Sequence, residues 1–298
     1  MLALSTSWNN SPRKSAQQIF GEIENLGFEY IELGFSHTKK HTDFLHKHPS
    51  IKPLSLHNFC PIPDRIPINK ALPDFYNLAS KNESIRKTAV NFTKRTILTA
   101  KKLHAKAIVL HAGRVEIDDY TRELCKLKQR NNLKSLDTLR CKALEERNNN
   151  KKHFIDSIFK SLRDLTDFAN NEGIKIGLEN RFYIREIPNF EEIGLLLAAF
   201  HKKGLGYWHD AGHAYIFDQI GLGSHLGYLK KYHSYLLGVH LHDVKNLVDH
   251  MAPFTGEIDF RKFKPFIKNE TIKIIEAHKP ATAKEIIFAK QKLEKLFK

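Results

Sequence analysis

Residues able to bind a metal ion are concentrated in the segment 207–214, Tyr-Trp-His-Asp-Ala-Gly-His-Ala. Asp210 and His213 supply a carboxylate oxygen and an imidazole nitrogen, which both bind divalent metals well. The apolar run 204–208 predicts a short buried strand, and the four residues after Asp210 predict the loop that follows it. Both side chains would then reach one point beyond the strand. The alternative is that His209 and His213 are ordinary polar residues and that Asp210 caps the next element.

Residues of the same kinds end five other apolar runs. These residues are His57, His111, Glu179, His240 and Glu276. In a closed parallel barrel the carboxyl ends of all strands surround one mouth, where barrel active sites are built. We therefore expect these five side chains and Asp210 to form one metal-binding site.

The elements that must position these residues follow a regular alternation of short apolar runs and longer amphipathic stretches. Strands are predicted at 2–5, 30–34, 52–57, 107–110, 174–179, 204–208, 236–242 and 271–276. Helices are predicted at 15–27, 42–47, 84–104, 154–171, 190–201, 222–233 and 283–297. This pattern predicts an α/β fold, with residues 1–298 forming a single (β/α)8 TIM-barrel domain. A doubly wound open sheet is the competing fold, but no G-x-G-x-x-G follows the first strand.

The stretch 114–152 interrupts this alternation after the fourth strand. It is polar, carries mixed charges and ends in three consecutive asparagines. We expect a charged, partly helical insertion. It would serve either as a lid over the site or as a solvated excursion without function.

The composition is that of a soluble globular protein, with 41% hydrophobic and 27% charged residues. No apolar stretch approaches the roughly 18 to 20 residues of a membrane span, and the N-terminus does not resemble a signal peptide. We therefore predict a cytoplasmic protein without membrane contact. The three cysteines share no C-x-x-C spacing, which predicts neither a disulfide framework nor a cysteine zinc site.

The net charge of +15 is compatible with DNA or with a phosphorylated substrate. The lysines are spread along the whole chain, so a nucleic-acid partner is the less favoured of the two. The composition does not predict an oligomeric state.

Ligand chemistry separates the candidate residues into two sets. Three carboxylates and one imidazole suit Mn²⁺, Mg²⁺, Co²⁺ or Fe²⁺ and also accept Zn²⁺, and they are Glu179, Asp210, His240 and Glu276. Additional imidazoles would bind further metals or the hydroxyls and phosphates of a substrate, and they are His57, His111, His213 and His250. The two sets together would hold one to three divalent ions. His242 and Asp243 follow His240 closely enough to orient it.

Five motifs in this sequence resemble the xylose-isomerase-like barrel superfamily. They are VLHAG at 109–113, GLENR at 177–181, HDAGHA at 209–214, GVHLHD at 238–243 and GEIDF at 256–260. That superfamily contains sugar phosphate isomerases and epimerases as well as endonuclease IV, which repairs abasic sites in DNA. The resemblance spans the barrel apart from the insertion, and it is specific for the superfamily but weak for the substrate.

Resemblance to the ketose 3-epimerases implies a metal-dependent sugar or sugar-phosphate isomerase or epimerase. One metal ion would be held by Glu179, Asp210, His240 and Glu276, and it would stabilise an enediolate. Glu179 and Glu276 would act as catalytic residues that exchange protons on opposite faces of the carbon. Substrate phosphate or carboxylate would contact Arg114 and Arg181, and His242 and Asp243 are further candidates for substrate binding.

Resemblance to endonuclease IV implies a different enzyme, a polynuclear zinc phosphodiesterase that acts on abasic-site DNA. Eight of its nine zinc ligands have matching positions here: His57, His111, Glu179, Asp210, His213, His240, His250 and Glu276. The ninth departs from the Asp-x-His pattern, because Asp249 directly precedes His250 and adjacent residues ordinarily point apart. The tyrosine expected after the strand-three histidine is also absent from 57–61. A third hypothesis is a non-catalytic barrel that only binds metal or ligand.

Overall fold

The structure is a computed structural model that describes residues 1–48, 50–64 and 66–298. Eight parallel strands form a closed barrel, which confirms the predicted (β/α)8 fold. The barrel strands are β1 (Leu2–Ser5), β2 (Tyr30–Leu33), β3 (Lys52–His57), β4 (Ala107–Leu110), β5 (Lys175–Glu179), β6 (Leu205–Asp210), β7 (Leu236–Leu241) and β10 (Ile272–Ile275). Strands β8 (Asp243–Lys245) and β9 (Val248–Met251) form an antiparallel hairpin outside the barrel.

Ten helices accompany the strands in the part of the chain that the structure describes. They are α1 (Ala16–Asn25), α2 (Lys39–Lys47), α3 (Glu83–Lys102), α4 (Thr121–Gln129), α5 (Leu133–Asn150), α6 (Lys152–Asn171), α7 (Phe190–Phe200), α8 (Ala211–Gln219), α9 (His225–Tyr232) and α10 (Ala283–Leu296). Reciprocal side-chain caps begin α1 at Ser15 and α10 at Thr282. Among these helices none is both long and apolar enough to cross a membrane.

Trp208 fills the interior of the barrel below the predicted site. Its side chain is fully buried and packs with Leu54, Val109 and other small or branched apolar residues. Glycine at 177 and 238 makes room for it, because a Cβ atom there would lie 2.5 or 2.4 Å from the indole ring. The indole lies edge-on to the ring of His240, with centroids 5.3 Å apart, and so closes the bottom of the site.

The segment after β6 differs from the prediction. Residues 211–214 are the first turn of α8 rather than a loop. The carboxylate of Asp210 accepts a hydrogen bond from the backbone N–H of His213 at 2.8 Å, so Asp210 is the N-cap of this helix. Strand alternation turns His209 away from the barrel interior, toward Tyr207 and Phe263.

The insertion between β4 and α6 consists mainly of α4 and α5. Arg147 on α5 is buried and forms a two-pronged ion pair with Glu192 on α7, with both N···O distances at 2.7 Å. Its Nη2 also donates to the carbonyl oxygen of Glu186 at 2.8 Å. The α5 part of the insertion is thereby fastened to the outer helices of the barrel.

Candidate metal centre

A cavity of about 520 Å³ opens at the carboxyl ends of the barrel strands. Six of the eight predicted metal-binding candidates line it, and they are His57, His111, Glu179, His213, His250 and Glu276. The other two, Asp210 and His240, cluster with Glu179 and Glu276. Phe35, Phe182 and Tyr183 add aromatic surface, and Arg122 reaches the cavity from α4. The candidate metal-binding residues therefore lie together at the carboxyl ends of the barrel strands, as the sequence predicted.

Four ligand atoms form what we call the central cluster, from Glu179, Asp210, His240 and Glu276, all within 4.8 Å of one another. His240 Nδ1 lies 2.9 Å from a carboxylate oxygen of Glu276, 3.2 Å from one of Glu179 and 3.6 Å from one of Asp210. Ligands placed tetrahedrally at about 2.1 Å from a metal ion are about 3.4 Å apart. The spacing and the donor types therefore suit a divalent cation.

The neighbouring strands bring the central cluster together. Asp210 on β6 is directly paired with His240 on β7, and His240 is paired with Ile274 on β10, two residues before Glu276. The side chain of Asn180 donates to the carbonyl oxygen of Asp210 at 3.0 Å and accepts from its N–H at 2.8 Å. The backbone of the Asp210 ligand is thus held at both of its polar groups.

Glu32 on β2 lies behind His240. Its two carboxylate oxygens are 3.1 and 3.2 Å from His240 Nε2, and the hydroxyl of Ser55 donates to Glu32 at 2.7 Å. Burial would lower the pKa of His240, but the carboxylates of Glu276 and Glu32 outweigh it and hold the pKa well above its usual range. With Nε2–H directed to Glu32, Nδ1 is the nitrogen that faces the cluster.

A second group of ligand atoms, the β3–β5 cluster, consists of His57, His111 and Glu179. Glu179 Oε2 lies 2.8 Å from His111 Nε2 and 3.6 Å from His57 Nε2. Its other oxygen, Oε1, belongs to the central cluster. Burial would raise the pKa of Glu179, but contacts with His111 and Arg181 hold it well below the usual range, so this carboxylate is ionised between the two clusters.

A third group lies where α8 meets the β8–β9 hairpin. Asp249 Oδ2 is 3.2 Å from His250 Nδ1 and 3.9 Å from His213 Nε2. Adjacent residues were expected to point apart, but His250 has a φ of 57° and both side chains face His213. Burial would lower the pKa of His250, but Asp249 raises it to about 9.

Residues 20–292 match the family model of xylose isomerase-like TIM barrels. The chain belongs to the xylose isomerase-like TIM barrel family. Two uncharacterized proteins of Methanocaldococcus jannaschii are related in sequence. One is 26% identical over 269 residues, which cover 86% of this chain and 77% of the relative. The other is 27% identical over 190 residues, covering 62% of this chain and 54% of the relative.

Solved structures with the same fold include several sugar epimerases. A D-tagatose 3-epimerase-like protein superposes with a TM-score of 0.70 at 20% identity, covering 99% of this chain and 96% of its own. D-psicose 3-epimerase from Clostridium cellulolyticum gives 0.67 at 16% identity, covering 100% and 99%. The IolI protein, solved with a zinc atom, gives 0.61 at 18% identity, covering 99% and 97%. At these identities the likeness concerns the fold.

Of the residues predicted to contact substrate, this member of the family places Arg181 in the lining of the cavity. Arg114 instead forms an ion pair with Asp74, at 2.6 Å. The carboxylate of Asp243 accepts backbone hydrogen bonds from residues 244, 256 and 258, which shapes the loop after β7. Both ring nitrogens of His242 form hydrogen bonds. Nδ1 accepts from the backbone N–H of His250, and Nε2 lies 2.9 Å from the carboxylate of Asp210. His242 was predicted to orient His240, but its ring contacts Asp210 and so fixes the carboxylate of that candidate ligand.

Three residues in or next to the site were not predicted from the sequence to act there. Glu32 is the third residue of the four-residue strand β2, with Leu33 after it, so the search for polar residues at strand ends did not identify it. Arg122 and Tyr183 have no comparable signal, because they lie in irregular or inserted segments. Arg122 donates to the Tyr183 hydroxyl at 2.8 Å, and its guanidinium carbon lies 5.8 Å from the centre of the same ring. A cationic group with free N–H donors thus stands at the rim of the cavity.

Proposed function

We propose that this protein is a metal-dependent isomerase or epimerase of small sugars or sugar phosphates. The observation that carries the proposal is the central cluster. It combines three buried carboxylates and one oriented imidazole at the mouth of the barrel, with spacing that suits one divalent ion. The family and the epimerase neighbours support the same class of reaction.

The central cluster would hold a divalent ion, whose chemistry there would be to polarise a carbonyl and its neighbouring hydroxyl and so make the hydrogen on the adjacent carbon more acidic. The chain supplies the groups that move the proton. Glu179 and Glu276 approach His240 Nδ1 from different strands, and the pKa of each is held below its usual range despite burial. Both are ionised at neutral pH, the state in which a carboxylate accepts a proton. Removal by one and return by the other would invert the carbon.

The cavity also supports a class of substrate. Its volume of about 520 Å³ suits a small polyol, and its rim combines Arg122 with the aromatic rings of Phe35 and Tyr183. A guanidinium with free N–H donors suits a phosphate or carboxylate on that polyol. We therefore favour a phosphorylated or acidic sugar over a neutral one.

A second candidate is a polynuclear zinc phosphodiesterase of the endonuclease IV type. The observation in its favour is that Glu179 belongs to two clusters, while His213 and His250 belong to a third with Asp210 and His242. Asp249 lies next to that third cluster, 3.2 Å from His250 and 3.9 Å from His213. In that enzyme the metal ions would activate water for attack on phosphorus. The number of ions bound and the reaction catalysed distinguish it from the first candidate.

The test is exchange of a carbon-bound hydrogen in D₂O. Protein loaded with Mn²⁺ or Zn²⁺ is incubated with a panel of ketoses and ketose phosphates, and deuterium uptake beside the carbonyl is followed by NMR. We expect uptake with the wild type, loss of at least about 1000-fold in Glu276→Gln, a size typical for removal of an acid–base group, and wild-type rates in the exposed control Glu270→Gln. Circular dichroism checks that each variant folds.

Absence of exchange across the panel would overturn the proposal if the same metal-loaded protein cleaves abasic-site DNA in a Glu276-dependent way. Exchange that survives in folded Glu276→Gln would remove this carboxylate from the reaction. If His213→Ala binds one metal ion per chain fewer than wild type, the polynuclear candidate is favoured.

A further inference from the structure

The guanidinium of Arg181 lies inside the β3–β5 cluster. Its Nη1 is 2.5 Å from His111 Nε2 and 2.9 Å from Glu179 Oε2. The side chain is buried, with 7% of the residue exposed. A positive charge belonging to the chain itself thus contacts two of the three ligand atoms of this cluster.

A metal ion in the β3–β5 cluster would require the same two atoms. It would have to approach His111 Nε2 and Glu179 Oε2 to within about 2.2 Å, along the lone pairs that Nη1 now faces. The ion and the guanidinium would also be two cations in contact within a buried site, where charge repulsion is strong. Occupation of the cluster by one therefore excludes the other.

Arg181 is held in place from its opposite side. Its Nη2 donates to Glu186 Oε1 at 3.0 Å, and Glu186 Oε2 accepts from the backbone N–H of Tyr183 at 2.9 Å. The carbonyl oxygen of Glu186 is fixed by Arg147 on α5. Moving the guanidinium away would leave the buried carboxylate of Glu186 without its partner, which is costly.

The two histidines of the cluster differ in their contacts. His111 Nε2 lies 2.5 Å from Arg181 Nη1 and 2.8 Å from Glu179 Oε2. His57 Nε2 lies farther from the same carboxylate oxygen, at 3.6 Å. The guanidinium therefore faces the His111 side of the cluster.

We propose that the guanidinium of Arg181 takes the place of a metal ion in the β3–β5 cluster. Glu179 would then bind metal through the central cluster alone. The inference builds on the metal centre of the proposed function. It assigns to Arg181 a positioning role: the residue neutralises Glu179 Oε2 and leaves Oε1 for the central cluster. A neutral side chain at 181 would convert His57, His111 and Glu179 into an additional metal site.

The experiment counts metal ions. Wild type, Arg181→Met and Arg181→Lys are equilibrated with excess Zn²⁺, freed of unbound metal and analysed by mass spectrometry, with titration calorimetry for affinity. We expect Arg181→Met to bind one ion per chain more than wild type, and Arg181→Lys to bind the wild-type number. The added ion should disappear in the double variant Arg181→Met, His57→Ala. Equal stoichiometry in wild type and Arg181→Met would overturn the inference.

A second measurement does not depend on the folding of Arg181→Met. His57→Ala in the otherwise native chain should bind as many ions as wild type, because His57 holds no metal while Arg181 is present. A loss of one ion would overturn the inference. If wild type binds no ion but Arg181→Met gains one, the inference stands and the proposed function fails.

Discussion

Substitution of Glu32 tests whether residues around the central cluster strengthen metal binding, because His240 is the member of that cluster that Glu32 contacts. Both oxygens of Glu32 lie within 3.2 Å of His240 Nε2, and the residue is fully buried. Replacing such an outer partner of a metal-binding histidine typically costs 10- to 100-fold in metal affinity. Glu32→Gln should fall at the upper end, near 100-fold or about 2.7 kcal/mol, because it removes a full charge from an unexposed contact.

Proton competition acts in the opposite direction. Glu32 helps to raise the pKa of His240, so the variant has a lower pKa and loses less binding to protonation at low pH. The predicted loss of affinity is therefore larger at pH 8.5 than at pH 6.5. This pH dependence of the affinity loss distinguishes an effect on His240 from general damage to the fold, because general damage would not vary with the protonation of one histidine.

The assay is competition between the protein and a chelator for Zn²⁺ or Mn²⁺ at both pH values. Glu29→Gln is the matched control, since it makes the same chemical change three residues earlier at an exposed position. Ser55→Ala removes the hydrogen bond to Glu32 but keeps the carboxylate, so it should cost less than about fivefold. A folded Glu32→Gln protein whose affinity at pH 8.5 stays within about twofold of wild type would refute the reasoning.

Two further predictions concern the rim and the core. Arg122→Ala should raise KM for a phosphorylated substrate by at least about tenfold, because a charged hydrogen bond is lost, and should leave kcat near the wild-type value. Arg130→Ala is the control and should keep the wild-type KM. Equal KM values in Arg122→Ala and wild type would contradict the prediction. Burial, with help from His41, lowers the pKa of His37 from 6.5 to about 3. Between these values the unfolded state binds the extra proton, so stability falls as pH falls, by up to about 1.4 kcal/mol per pH unit. The free energy of unfolding, measured with urea between pH 6.5 and 4.5, should fall less steeply with pH in His37→Gln than in wild type. Equal slopes in the two proteins would contradict this role of His37.

Strand positions were predictable because each barrel strand is a short apolar run between amphipathic stretches. That pattern also selected the candidate metal-binding residues at the strand ends, from His57 to Glu276, which the structure brings close together. Glu32 was missed because a single acidic residue within a four-residue strand faces either solvent or the barrel interior, and the sequence alone does not distinguish the two. Closure of the barrel decides it, by placing β2 next to β3 and across from His240.

The start of α8 and the β8–β9 hairpin could not be predicted from the sequence, for different reasons. Gly212 lowers the helix propensity of the segment after Asp210, although its small size is required because a Cβ there would lie 2.1 Å from His242. The β8–β9 hairpin turns at Asn246 and Leu247, with φ values of 51° and 60°. Such a turn usually carries glycine as its second residue, so leucine there gives no hairpin signal.

Asp210 begins α8 with the same carboxylate that belongs to the central cluster. Any ion that immobilises this carboxylate also holds the hydrogen bond to the N–H of His213, and thereby the first turn of the helix. Metal binding and local opening of α8 are therefore thermodynamically linked. Amide hydrogen exchange in that turn should slow as the ion binds, so the helix would report occupancy of the centre in the absence of substrate.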